Sequence, residues 1–255
     1  MNFNHSLVNE RFEAITKIYP LKTALIFKEQ HISFAELNDR IHLVYNKLKI
    51  EGVQSGHIVI VHGERSPEYL ITILAILKLK GVFLPLDSKL PEKRKEWIIR
   101  HSKAAFMIDY SKEDFIITQL SVNEKFFDKI PEEAMYIMYT SGSSGTPKGV
   151  IGNHGGVINR VDWMQRSFPI DSTEVHMMKT SIGFVDHIAE AFQSLLHGVT
   201  LVILEDDLVS DVQSLVKNLV KYCVNRLVVV PSLLKAILEL PEKRLLDLDH
   251  LNFIF

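Results

Sequence analysis

Short, uninterrupted apolar runs alternate along this chain with segments whose apolar residues recur at helical spacing, and that alternation constrains the fold more than any other feature. The runs His57–Gly63, Val82–Leu86, Ala104–Ile108, Met135–Thr140, Thr200–Leu204 and Arg226–Val230 read as strands. Their lack of polar alternation predicts strands buried on both faces, as in a parallel sheet covered by helices. The intervening segments supply those helices. Ser33 and Glu36 make a capping-box pattern ahead of Leu37, Ile41, Val44 and Leu48, with Gly52 as a stop. Ser66 as N-cap and Pro67 at the first helical position open a second helix, and Gly81 is expected to close it. Further helices are expected at Glu92–His101, Gly155–Ser167, Asp186–His197 and Val212–Tyr222. The expected class is therefore α/β, with parallel-type sheets covered by helices. The polar stretch 111–133 is where a boundary between lobes is expected, and Leu251–Phe255 reads as a buried strand.

Composition narrows the partners. A formal net charge of -2 over 255 residues, with basic residues scattered, offers no electrostatic footprint for nucleic acid or an anionic membrane. Cys223 is the single cysteine, which excludes an internal disulfide and a cysteine zinc site; it reads as a small buried hydrophobe. The first residues, MNFNHSLVNERFEAI, lack a secretory pattern. The most apolar stretch, Leu70–Leu77, is too short to span a bilayer. A cytoplasmic protein without a membrane partner is expected.

The segment carrying the chemistry is Met135–Val150, MYIMYTSGSSGTPKGV. An apolar strand runs into Thr140, Ser141, Gly142, Ser143, Ser144, Gly145 and Thr146, followed by Pro147, Lys148 and Gly149. Glycines let backbone N–H groups converge on an anion, five hydroxyls in seven residues add donors, and Lys148 adds a positive charge. That set suits a polyphosphate. A plain Gly/Ser surface loop would not need the appended Pro-Lys-Gly. A Walker loop would place its Lys before Ser/Thr and lead into a helix, whereas here an extended Val150–Ile151 follows. The Gly-x-Gly-x-x-Gly and Gly-x-Ser-x-Gly patterns are absent from the chain.

TSGSSGTPKG resembles the signature loop of the adenylate-forming (AMP-binding) enzymes, and within them the chain is most similar to the amino-acid adenylation domains of nonribosomal peptide synthetases. ISFAELN (Ile32–Asn38), LKLKGVFLPLD (Leu77–Asp87), HGGVINRVDWMQ (His154–Gln165) and VPSLLKAIL (Val230–Leu238) resemble further segments of those domains in the same order. The resemblance implies that residues 1–255 form the N-terminal part of a large adenylation domain without its C-terminal lid. It implies ATP and Mg2+ as cofactors, and a small carboxylic acid activated to an acyl-adenylate with release of pyrophosphate. A phosphopantetheine carrier protein would then take the acyl group on its thiol. By position, Thr140, Ser141, Gly142, Ser143, Ser144, Gly145, Thr146 and Lys148 would grip the β- and γ-phosphates.

The resemblance also implies a substrate pocket at Ser181–Phe192, SIGFVDHIAEAF, formed by Phe184, Val185, Asp186 and Ala189, with Val229 as a further wall. The family commonly has an Asp that pairs with an α-amino group where Val185 stands, Ser where His187 stands and Trp where Ala189 stands. An acid without an ordinary α-amine is therefore expected. A helix-start reading suffices for Asp186, His187 and Glu190, whose spacing does not suit a metal on one face. His154 is expected to be structural, though it matches a family His that would face the nucleotide. Two alternatives stay open: an acyl- or aryl-CoA synthetase, and a non-catalytic remnant or nucleotide-binding module. Because the ribose-binding, metal-binding and lid motifs of the family are not found in these 255 residues, the chain by itself is expected not to make acyl-adenylates.

Overall fold

A computed structural model describes residues 7–110, 115–120, 130–140, 147–241 and 248–255. Two six-stranded sheets form the frame. The first runs, in spatial order, through β12 (Phe253–Ile254), β11 (Arg226–Leu227), β9 (Val175–Met178), β10 (Thr200–Ile203), β1 (Thr23–Phe27) and β2 (Gln30–Ser33). The second runs through β6 (Ile116–Gln119), β5 (Phe106–Asp109), β3 (Ile58–Gly63), β4 (Val82–Asp87), β7 (Ala134–Thr140) and β8 (Lys148–Asn153). The pairings among the inner strands are parallel, while β2, β6 and β8 pair antiparallel at the edges. The apolar runs are buried as expected; every residue of β4 and of β10 is buried.

The chain changes sheet twice, through α2 (Phe34–Ile50) between β2 and β3, and through α5 (His154–Ser167) between β8 and β9. Both helices carry a polar cap. Ser33 Oγ accepts the Glu36 N–H at 3.1 Å, and Asn153 Oδ1 accepts the Gly156 N–H at 2.7 Å. α3 (Pro67–Lys78) starts on Ser66, whose Oγ accepts the Tyr69 N–H at 3.1 Å. It is apolar around its whole circumference and buried from Tyr69 to Leu77, the pattern of a helix enclosed by its neighbours. The largest apolar cluster joins α3 to α1 (Val8–Ile18), α2, β3 and α6 (Asp186–Leu195), which places the core across both sheets.

Several expectations change. The helix α3 is closed by Lys80, which takes φ 56°, and not by a left-handed Gly81. Gly81 is needed for space: an added Cβ would lie 3.0 Å from Ile76 Cγ2 and 3.3 Å from the His57 carbonyl oxygen. Residues 111–114 and 121–129 lie outside the described residues, and between them runs β6, a short edge strand with three of its four residues exposed. The strand expected at Arg226–Val230 stops at Leu227, and Pro231 opens α9 (Pro231–Leu238). Cys223 is exposed, because it occupies the left-handed corner that follows α8 (Val212–Lys221), with φ 50°. At the edge of the first sheet Phe253 is half-buried and Ile254 exposed, and Phe253 and Phe255 pack edge-on against Phe168.

Candidate functional site

The hairpin β7–β8 carries the Gly/Ser segment at its tip. Its register sets Thr140 directly opposite Lys148, so residues 141–147 form the connection. Ser141, Gly142, Ser143, Ser144, Gly145 and Thr146 lie outside the described residues. Thr140 and Lys148 are both exposed at the two strand ends, and Lys148 makes no ion pair with a described residue. β8 continues as strand through Asn153, which agrees with the extended Val150–Ile151 and excludes a Walker-type strand–loop–helix.

Further down the same hairpin is a cleft of about 310 Å³. It begins at Tyr136 and Ile151, four and three strand residues from Thr140 and Lys148, about 10–13 Å along the strands. Tyr136, Ile151 and Gly152 contribute one wall, Val157, Arg160 and Val161 of α5 a second. The third wall holds Val185, Asp186, Ile188 and Ala189 at the start of α6. Gly152 permits the closure on the hairpin side, since any Cβ there would overlap the Tyr136 ring. Burial raises the Tyr136 phenol above its ordinary range while nearby Arg160 opposes the shift, so the hydroxyl stays protonated at neutral pH. The cleft thus joins apolar walls to a phenol, a guanidinium and a carboxylate, a lining suited to a small amphipathic molecule.

Of the pocket residues expected from sequence, Val185, Asp186 and Ala189 line this cleft. Phe184, 67% exposed, precedes it, and Val229 packs instead against the apolar cluster of Val202, Leu215 and Leu227. Tyr136, Arg160 and Gln193 were not anticipated. The stripe Gly156, Val157, Arg160, Val161 follows helical spacing in HGGVINRVDWMQ, a signal that could have found Arg160.

The polar residues at the start of α6 have separate tasks. Asp186 is exposed at the cleft. Glu190 is buried, and its carboxylate accepts the N–H groups of Lys179 and Thr180 at 3.1 and 3.0 Å and the Thr180 hydroxyl at 2.8 Å. Burial raises Glu190 and lowers Lys179, whose Nζ lies 3.8 Å away. His187 is fully buried; its Nε2 lies 2.7 Å from the Tyr69 hydroxyl and its Nδ1 2.5 Å from the Phe184 carbonyl oxygen. Ser181 Oγ donates to Asp87 at 2.5 Å, tying the end of β4 to the segment before α6. His154 is structural: its Nδ1 accepts the Val8 N–H at 3.2 Å, and burial lowers its pKa to about 4.

A sequence model of the AMP-binding enzymes matches residues 12–255. The chain belongs to the AMP-binding enzyme family. It is similar to bacitracin synthase 3 of Bacillus licheniformis, with 29% identity over 97% of the chain and 4% of that protein. It is also similar to vanchrobactin synthetase VabF of Vibrio anguillarum, with 31% identity over 85% of the chain and 8% of that protein. The chain therefore spans a small fraction of the length of these synthetases. Among solved structures, the Klebsiella oxytoca NpsA N-terminal subdomain in complex with 3-hydroxyanthranilyl-AMSN matches with a TM-score of 0.77 at 23% identity, over 94% of this chain and 63% of that one. The AMPPNP-bound nonribosomal peptide synthetase FmoA3 matches with a TM-score of 0.82 at 21% identity, over 98% of this chain and 28% of that one. These likenesses show that the two-sheet α/β frame is that of adenylation subdomains. Among the described residues no helix is long and apolar enough to cross a membrane.

Proposed function

We propose that this chain holds ATP at residues 140–148 and a small carboxylic acid in the cleft below them, for joining into an acyl-adenylate. The observation that carries the reading is the β7–β8 hairpin itself. One end presents Thr140 opposite Lys148 beside the Gly/Ser connection, and the other forms a wall of the cleft shared with Val185, Asp186 and Ala189. In the reaction a carboxylate oxygen attacks the α-phosphorus, the bond to the β-phosphate bridging oxygen breaks, and pyrophosphate leaves. Lys148 and the loop donors Ser141, Gly142, Ser143, Ser144, Gly145 and Thr146 would offset charge on the departing phosphates. Mg2+ is expected with the nucleotide. Among the described residues no cluster of three His, Cys, Asp or Glu side chains could hold a metal, so no step is assigned to it.

The AMPPNP bound to FmoA3 supports the nucleotide assignment, and the aryl-AMSN held by NpsA supports an organic acid. The NpsA–ThdA adenylation–PCP fusion supports a carrier protein as acceptor. The test is hydroxylamine trapping with a panel of acids, run on the protein at its full natural length. A hydroxamate that requires both ATP and one class of acid is expected. Loading of that acid onto a phosphopantetheine carrier, in preference to coenzyme A, would distinguish the carrier reading from a CoA synthetase. No hydroxamate with any acid would reject the assignment.

A further inference from the structure

We propose that Tyr69 and His187 act as a clamp that positions the Phe184–Asp186 wall of the cleft and so sets which acid fits; this rests on the acid-binding role just assigned to the cleft. The direction of each hydrogen bond follows from chemistry. A carbonyl oxygen only accepts, so His187 Nδ1, 2.5 Å from the Phe184 oxygen, must carry the proton. The neutral imidazole then has its lone pair on Nε2, which accepts the Tyr69 O–H at 2.7 Å. Burial keeps the ring neutral, lowering its pKa to about 4.

The wall has few other supports. The residue at the N-cap position of α6 is Val185, which has no side chain able to cap, and Phe184 and Val185 are 67% and 50% exposed. The backbone bonds of Phe184 N–H to Ser181 O and of Ile188 N–H to Val185 O, both 3.0 Å, and of His187 N–H to Phe184 O at 3.3 Å shape the turn, and the Ser181 hydroxyl fastens its upstream end to Asp87. Downstream of Ser181 a second tie comes from the imidazole, which grips the Phe184 carbonyl on one side and the Tyr69 hydroxyl on the other. Tyr69 is a firm anchor: it is fully buried in the first turn of α3, its N–H held by the Ser66 cap, and its ring packs against Tyr110 with centroids 6.2 Å apart. The body of α6 is secured separately through Glu190, so the clamp governs the first turn alone.

Tyr69→Phe removes the hydroxyl and retains the ring, and it tests the clamp in two ways. In selectively 15N-labelled protein, the His187 ring should be the Nδ1–H tautomer in the wild type, and in Tyr69→Phe it should keep that tautomer while the Nε2 resonance moves on losing the hydroxyl that donates to it. The Phe184–His187 amide resonances should shift as those of Val157 and Val161 in α5 stay in place. In acid-dependent adenylation, KM for the acid should rise about five-fold, the size of one net hydrogen bond, with KM for ATP unchanged. An Nε2–H tautomer in the wild type, or unmoved amides in a folded Tyr69→Phe, would overturn the proposal. So would an unchanged acid KM in a variant whose amides do shift, because the wall would then move without affecting selection. The NMR readout needs no turnover, so failure of the adenylation reading would be seen separately, as absence of activity in the wild type.

Discussion

Val185 faces the cleft where the resembled domains commonly hold an aspartate, and the neighbouring Asp186 carboxylate is exposed at the same cleft. An α-ammonium held against the Val185 side chain would lose hydration without gaining a partner. An acid whose amine lies further along the chain, within reach of Asp186, or one with no amine, should therefore be activated in preference to its α-amino counterpart. Competition between matched α-amino, β-amino and amine-free acids measures this, and Val185→Asp should move the ratio towards the α-amino acid by about tenfold, or ~1.4 kcal/mol. A wild-type protein that selects a standard α-amino acid would contradict the reading. At this scale the resemblance of Ser181–Phe192 to a family segment singled out Val185, Asp186 and Ala189, and the start of α6 brings the three to one cleft. Tyr136 was not legible, because its role depends on the register that sets Gly152 opposite it across the hairpin, a long-range pairing that local pattern does not encode.

Elements were legible where they carry punctuation. α2 and α3 begin on Ser33 and Ser66, whose side chains accept the expected N–H groups. α1 has Leu7 at its N-cap position with no side-chain bond, and it owes its place to Val8, Phe12 and Ile15 in the core, so its start leaves no local signal. The β1–β2 hairpin turns through Lys28 and Glu29 at φ 48° and 66°, where Asn-Gly would have announced the turn. Lys80 presents the same kind of cost after α3. A left-handed φ of 56° strains a residue with a Cβ, so Lys80→Gly should raise stability by about 0.5–1 kcal/mol in chemical denaturation. A loss of stability would mean that the lysine stem contributes packing that outweighs the backbone strain.

At the scale of the whole molecule, the buried His154 and His187 and the half-buried His197 link folding to pH. His154, His187 and His197 are each lowered by burial to about 4 from the ordinary 6.5. The unfolded chain therefore binds more protons than the native one between these values, and stability rises with pH across that window. The contribution is fully present above pH 6.5 and is lost as pH falls towards 4. Near pH 5 the combined slope should be on the order of 3 kcal/mol per pH unit. Glu190, raised by burial, acts in the opposite sense, costing stability as pH rises above its ordinary 4.5. Denaturant unfolding measured from pH 4 to 7 should show the histidine slope, and His154→Gln should reduce it by about one third; an unchanged slope would remove His154 from the account. The central claim is that one hairpin couples nucleotide to acid, its tip gripping phosphates and its stem walling the acid cleft. ATP–pyrophosphate exchange driven by the preferred acid, in the full-length protein with and without Lys148→Ala, tests it most directly. Loss of exchange by about a hundredfold, or ~2.7 kcal/mol of barrier, with the Kd for the acid unchanged is the predicted result. Exchange at the wild-type rate in Lys148→Ala would contradict the account.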